Sequence, residues 1–589
     1  MLRRAECPPH KERRVEFMKK LIVTEKPSVG AAIGKVLRAF KRQDGYIEND
    51  EYIISWCVGH LIKAEAPDAY DESLRKWSIE SLPIVPDKWK YQIISGTSKQ
   101  YRILKKLMNS REVSEIICAT DAGREGELIF RLVYNEAGCK KPFKRLWISS
   151  MEEAAIKEGF ENLRDGSEFD NLYYAALARS KADWLVGINA TRLYSCKHNI
   201  TLNIGRVQTP VLAMIAERDK EVSNFKAKEY YTAVIDCGSF TAETDRIEKS
   251  YNAETAAQTC AGQTAKVKDI STKHGTSAPP KLFDLTALQR EANRIYGYTA
   301  KQTLDYAQSL YERRLITYPR TDSRYITTDV EDSIEELAQI AADKLDIEVE
   351  FDIEPSVLSD NSKVSDHHAL LPTKTLDRTD IATIPNGERS ILILICRQLI
   401  CALAEEHRYD TVKAEIECEG MSFFASGKTV TQNGWKEYAE TRSDKSSSDN
   451  ALAPMSVGDT FENVKASVKT HKTAPPKLYT EDTLLAAMEN AVKAENIERC
   501  GLGTPATRAG VIEHLVTRGF VERRGKKLTA TDKGRNLVRR VPAEIKSPDM
   551  TAAWEEKLTG IAEGKLTEHE FVNEVVDFLT GLINAEKEA

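Results

Sequence analysis

The chain has 589 residues, of which 41% are hydrophobic and 30% charged, and a formal net charge of −6. At roughly 150 residues per domain this allows about four domains, each able to bury a core. The balance excludes a disordered or fibrous chain and argues against coating duplex DNA through bulk positive charge, though not against a local basic groove.

Residues 1–17 are basic and lack an apolar stretch, so they read as a disordered extension and not as a signal peptide. Residues 18–155 read as α/β. The run KLIVTE ends in the turn signal Lys26-Pro27-Ser28, the run SEIICAT precedes a helical pattern, and RLWISS closes the segment. Strand–helix alternation predicts a parallel sheet covered by helices, with function at the carboxyl ends of its strands, where Glu25 and Asp121 sit. Residues 156–225 read helical, 226–280 strand-rich, 281–408 helical, 409–477 strand-rich again, and 478–589 helical apart from a hairpin near VERRGKKLTAT. The simplest explanation is a helical domain inserted between two halves of one β region. Thr299 with Gln302 forms a capping box, and Ser443 to Asp449 reads as a polar loop. No apolar run reaches the roughly 18 residues of a membrane span.

Four constellations carry chemistry. Asp121 and Glu125, in DAGREGE, share a face if a helix has begun there, and Glu25 supplies a third carboxylate. Oxygen ligands of this kind suit Mg²⁺, while acids at a helix start also need no function. In LITYPRTDS, Pro319 holds Tyr318 extended, and Arg320 falls on the same side of the chain. A phenol beside a guanidinium can attack a phosphodiester; the bland alternative is a buried Tyr in a turn. DHHALLP offers His367 and His368, one of which can face phosphate. In GTPATRAGVIEHLVTRG, Thr504, Pro505 and Gly519 delimit a helix with Val511, Ile512, Leu515 and Val516 on its apolar face, and Arg508 near its start. Locally basic stretches are Arg313, Arg314, Arg320 and Arg324, and then Arg518 to Lys527. No P-loop is present, so an ATP-driven motor is disfavoured. The eleven cysteines form no C-x-x-C pair, which excludes a four-cysteine zinc ribbon and fits a reducing cytoplasm.

Together and in order, VTEKPSV, VGHL, ATDAGREGE, NIGRVQTP, LITYPRTDSRYI, DHHALLP and GTPATRA closely resemble the type IA DNA topoisomerases, specifically the topoisomerase III branch, over essentially everything after Met18. The resemblance implies a multidomain α/β plus α and β fold: a Toprim domain, with helical domains and a β-rich arch closing a toroidal core. It implies an isomerase that cleaves one DNA strand through a 5′-phosphotyrosine, passes DNA through the gap and religates without ATP. The substrate would be single-stranded or negatively supercoiled DNA, relaxed or decatenated in the cytoplasm at the nucleoid, with no membrane involved.

By the same resemblance Tyr318 is the nucleophile, supported by Arg320. Glu25 is the acid/base, Lys26 contacts phosphate, and His367 is the active-site histidine. Glu25, Asp121 and Glu125 would hold Mg²⁺. His60, Arg179, Asp183, Arg206, Gln208 and Arg508 would line the DNA groove. One departure stands out. The family pattern Asp-x-Asp-x-Glu reads here Asp121-Ala-Gly123-Arg-Glu125, without the middle carboxylate. A weaker Mg²⁺ site with chemistry retained is expected; the alternative is a non-catalytic single-strand binder with a defective metal site.

Overall fold

The computed structural model describes residues 18–148, 151, 153–364, 367–440, 451–491 and 501–588. The expected extension over 1–17, the polar stretch 443–449 and Asp366 lie outside the described residues. Two compact units emerge: the chain up to Arg206 together with Ala553–Ala589, and Val207–Ala552.

The first unit centres on a seven-stranded sheet in the order Lys41–Gln43, Tyr46–Glu48, Tyr52–Trp56, Lys19–Thr24, Val113–Ala119, Phe143–Arg145, Arg164–Asp165. The four strands from Tyr52–Trp56 to Phe143–Arg145 run parallel, as the alternation predicts. Both edges are antiparallel, built from strands of two or three residues, too short to leave a periodic signal. Leu21, Ile22 and Val23 are completely buried. An unbroken apolar run suits a strand covered on both faces, and each such side chain contributes about 1.5–3 kcal/mol. Thr24 pairs in register with both Trp56 and Ala119, so the segments carrying Glu25, His60 and Asp121 leave the same edge of the sheet. Helices Pro27–Val36, Ser98–Met108 and Arg124–Glu136 follow strands, and the 29-residue helix Asp170–His198 packs against Glu568–Glu588.

The second unit holds a seven-stranded antiparallel sheet in the order Thr460–Phe461, Ala265–Ser277, His407–Cys418, Met421–Gln432, Thr241–Glu243, Glu229–Asp236, Lys465–Lys472. Ser277 pairs with His407, so the chain leaves the sheet and returns beside its point of departure. The intervening segment is mainly helical: Leu285–Ile295, Ala300–Glu312, Glu331–Leu345 and Asn386–Leu403. Leu282, Ile326, Ile334, Leu371, Leu399 and Leu403 share its core. The Thr299 hydroxyl accepts from Gln302 N–H at 3.1 Å, and the Gln302 amide oxygen accepts from Thr299 N–H at 3.0 Å, closing the capping box. The strand-rich reading of 226–280 missed a helix, Ser250–Cys260. Its buried face is Ala253, Ala256, Ala257 and Cys260, small side chains that give little hydrophobic contrast but let a helix lie close to a sheet. Among the described residues no helix is long and apolar enough to cross a membrane.

Candidate active site

Glu25, Lys26, His60, Asp121, Glu125, Arg179, Asp183 and Arg206 belong to the first unit; Gln208, Tyr318, Arg320, His367 and Arg508 belong to the second.

Glu25 directly follows its strand and is only 5% exposed. Lys26 occupies the N-cap position of Pro27–Val36, and its carbonyl accepts from the Thr24 hydroxyl at 2.9 Å. Asp121 stands in a turn, because the next helix starts only at Arg124; Asp121 and Glu125 therefore do not share a helical face as the spacing suggested. The turn is held from below by Arg145. Its completely buried guanidinium donates to the carbonyls of Cys118 (3.2 Å), Thr120 (2.8 Å) and Asp121 (2.8 Å), and pairs with buried Glu127 at 3.1 Å. A Cβ at Gly126 would overlap the Asp121 carbonyl, so glycine is required at that close approach.

The Glu125 carboxylate meets His60 Nε2 at 2.6 Å. Burial favours the neutral imidazole, but the hydrogen bond and charge of Glu125, helped by Glu25, prevail and raise the His60 pKa. Glu125 is thus engaged with His60 rather than gathered with Glu25 and Asp121. Among the described residues no group of three or more His, Cys, Asp or Glu side chains is arranged to hold a metal. What remains is a two-carboxylate set, Glu25 and Asp121, on adjacent strand ends. That donor set fits Mg²⁺, which is held by one or two carboxylates with water and substrate phosphate completing the shell.

Arg206 is almost fully buried, donating from Nε to Asp183 Oδ1 (2.9 Å) and from Nη1 to Glu555 Oε1 (3.0 Å). Arg179 lies 3.9 Å from the same Asp183. Burial works to raise the Glu555 pKa, but Arg179, Arg206 and Arg124 outweigh it and hold the carboxyl at about 2. One buried carboxylate thus lies in the field of three arginines, in direct contact with Arg206, and one of the three, Arg124, opens the helix after the Asp121 turn.

In the second unit the segment carrying Tyr318 lies against 367–373. Ile316 bridges Pro372 in antiparallel fashion, Thr317 N–H donates to Leu371 O at 3.0 Å, and Leu371 N–H donates to the Thr317 hydroxyl at 3.0 Å. The buried Thr321 hydroxyl donates to His367 O at 2.8 Å. Tyr318 is 6% exposed, its ring centred 4.6 Å from the His367 ring and 5.3 Å from Tyr311 in an edge arrangement. Arg320 is half-buried two residues on. His368 instead turns Nδ1 to Ala369 O at 2.8 Å, and its pKa is lowered by burial. His367, and not His368, is the histidine packed on the Tyr318 ring.

Gln208 opens the helix Gln208–Asn224 and accepts from His514. Helix Pro505–Thr517 begins after Thr504, with Pro505 at its first position, and Gly519 follows in a left-handed conformation (φ 72°). Its buried face is Arg508, Ala509, Ile512 and Leu515; Val511 and Val516 are only half-buried. Arg508 is 3% exposed, donating to Leu502 O at 3.3 Å and to the Thr286 hydroxyl at 3.0 Å. Among the basic stretches, Arg324 pairs with Asp284 at 2.7 Å, itself the cap of Leu285–Ile295, and Arg313 pairs with Glu388 at 3.2 Å.

Three side chains in these arrangements carry no motif signal. Arg145 directly follows Lys144 in the stretch KKPFKRLW, where nothing marks it out from its basic neighbours as the buried one. Glu555 sits far from every motif and gives no hint, and His514 falls among the helix's own polar positions.

A DNA topoisomerase family model matches residues 167–573, and a Toprim domain model matches residues 20–151. The DNA topoisomerase 3 of Staphylococcus aureus is 39% identical over 591 residues, covering 97% of this chain and 82% of its own length. That of Bacillus licheniformis is 39% identical over 590 residues, covering 95% and 80%. The fold is similar to that of full-length topoisomerase I from Thermotoga maritima (TM-score 0.74, 22% identity, 96% of this chain and 90% of that one). The chain therefore belongs to the type IA DNA topoisomerases, in the topoisomerase III branch, enzymes that break one DNA strand transiently, pass DNA through the break and reseal it.

Proposed function

We propose that Tyr318 is the nucleophile of this reaction, with the roles around it divided as follows. The Tyr318 phenol oxygen attacks phosphorus, gives its proton to solvent water, and the P–O bond to the preceding 3′-oxygen breaks. The result is a 5′-phosphotyrosine and a 3′-hydroxyl. Glu25 protonates the leaving 3′-oxygen and takes the proton back on religation. Arg320, Lys26 and His367 bear the charge that develops on the phosphoryl oxygens. The tyrosyl phosphodiester conserves the energy of the broken bond, so no ATP is consumed. Glu25 and Asp121 would hold Mg²⁺; bound there, it supplies positive charge to a phosphodiester being cleaved or resealed. Glu125, paired with His60, stands as a reserve ligand.

The observation that supports this reading best is the setting of Tyr318. A phenol almost fully buried, packed on an imidazole and fixed by a ladder to 369–373, is preorganised for one line of attack. We further propose single-stranded or negatively supercoiled DNA as substrate and a cytoplasmic setting at the nucleoid. A buried nucleophile needs a strand that can leave its helix to reach it. His60, Arg179, Asp183, Arg206, Gln208 and Arg508 are then the groove residues. The buried ones act by fixing their neighbours, the half-exposed ones by touching DNA. The test is covalent trapping on a 3′-end-labelled strand: a labelled adduct in the wild type, none in Tyr318→Phe.

A further inference from the structure

We propose that a cleft beside the carboxyl-terminal half of helix Gln208–Asn224 is a second strand-holding site, which grips the phosphodiester backbone of single-stranded DNA through Lys220 and Arg539. This rests on the reading of single-stranded DNA as substrate and adds a contact beyond the residues named for it, none of which lines the cleft.

The cleft has a volume of about 950 Å³ and lies within the second unit, between that helix, the hairpin of strands Val521–Arg524 and Lys527–Ala530, and helix Asp532–Arg540. Five cations and three carboxyls line it. Arg524 pairs with Glu522 at 2.6 Å. Arg535 pairs with Asp532 at 2.7 Å and lies 4.0 Å from Asp219, whose other partner is the Ala530 N–H at 2.7 Å. Lys546 Nζ donates to the Val538 carbonyl at 3.2 Å, which leaves its charge unbalanced. Lys220 and Arg539 are exposed and form no ion pair among the described residues. Glu217 is thus the one lining carboxyl left to face three unmatched cations. Arg535 and Arg539 also stand four apart on one helix, where like charges repel. An anion held in the cleft offsets both excesses, and the anion this enzyme handles is the phosphodiester. The volume is that of a small-ligand pocket. It admits a few nucleotides of a flexible strand but not the body of a duplex. No aromatic side chain is in the lining, so the grip is on the backbone and is the same for every base. Lys220 stands 12 residues beyond Gln208 on the same helix, about 18 Å along it, so one strand can meet both.

Affinity of the full-length chain for fluorescent oligo(dT) and oligo(dA), titrated over salt without added metal, tests the cleft. Each phosphate contact to a single strand adds about 0.7 to the fall of log K with log salt, so Lys220→Ala/Arg539→Ala should flatten that slope by about 1.4. The flattening should be equal on both oligonucleotides, with the thermal midpoint unchanged. Lys220→Arg/Arg539→Lys should keep the wild-type slope, because the contact needs the charge. Lys249→Ala removes an exposed charge that has no ion pair among the described residues, away from the cleft, and should leave the slope alone. A wild-type slope in the double alanine variant overturns the proposal. So does an equal flattening per charge in Lys249→Ala, which assigns the effect to net charge, or a flattening confined to duplex DNA. A wild type that binds neither oligonucleotide yet relaxes plasmid would sink the single-strand reading, and the cleft's role with it.

Discussion

Arg145 Nη2 donates to the carbonyl of Asp121 at 2.8 Å from a position with no solvent exposure. The buried cation holds the backbone of the turn that carries Asp121. Four backbone carbonyls, those of Cys118, Thr120, Asp121 and Leu146, share one guanidinium, with Glu127 balancing its charge. Removing one partner of such a set leaves the others buried and unmatched, which costs more than the set contributes when intact. Arg145→Met should lower unfolding free energy by about 3–5 kcal/mol, read by urea denaturation. A change below about 1 kcal/mol would show that the Asp121 turn holds itself.

Glu555 gives the chain an acid-sensitive joint. Its folded pKa of about 2 lies below its ordinary value of 4.5. A depressed carboxyl contributes stability that is fully present above the unfolded pKa and is lost as pH falls through the folded one. The contribution is about 3 kcal/mol, disappearing between about pH 4.5 and 2. Wild type should therefore lose stability more steeply than Glu555→Gln over this window in parallel acid titrations. Parallel slopes would mean that the three arginines do not depend on the carboxylate charge.

Gly123 stands where the family pattern has a second aspartate. Its backbone is nearly fully extended (φ 159°, ψ 170°), and a Cβ added there meets nothing within 4 Å. Gly123→Asp should therefore fold and add a ligand beside Asp121, lowering the Mg²⁺ concentration needed for half-maximal relaxation severalfold. An unchanged Mg²⁺ requirement would show that Glu25 and Asp121 already suffice.

Thr321 joins the nucleophile segment to the histidine segment through its hydroxyl, which donates to His367 O and accepts from Ser323 N–H at 3.1 Å. Thr321→Val keeps the shape but leaves a buried carbonyl and amide without that partner, at about 1–3 kcal/mol. Cleavage should slow while oligonucleotide binding stays near wild type, and Thr321→Ser should restore the rate. Equal damage in Ser and Val would place the fault in packing instead of the hydrogen bond.

Local chemistry was legible because its signals are local. Thr299 and Gln302 lie three residues apart and cap each other; Pro505 and Gly519 mark the two ends of one helix by backbone restriction alone. KLIVTE reads as a buried strand because three consecutive apolar residues need cover on both sides. The resemblance across seven motifs supplied the family, which no single spacing could. What stayed hidden depends on distance in sequence. Arg145 and Asp121 are 24 residues apart, Arg206 and Glu555 349 apart, and neither pair follows any period. The shared helical face of Asp121 and Glu125 failed because the helix starts only at Arg124, after a turn whose Asp121 carbonyl lies close against Gly126. The missed helix Ser250–Cys260 buries alanines, whose weak hydrophobicity masks its face.

The most direct test of the account is a denaturant quench of the enzyme on negatively supercoiled plasmid with Mg²⁺, comparing wild type with Tyr318→Phe. Relaxation and a protein joined to the 5′ end of the broken strand are expected in the wild type, and both should vanish when the phenol oxygen is removed. A Tyr318→Phe enzyme that still relaxes DNA, or still traps a covalent adduct, would contradict the central claim.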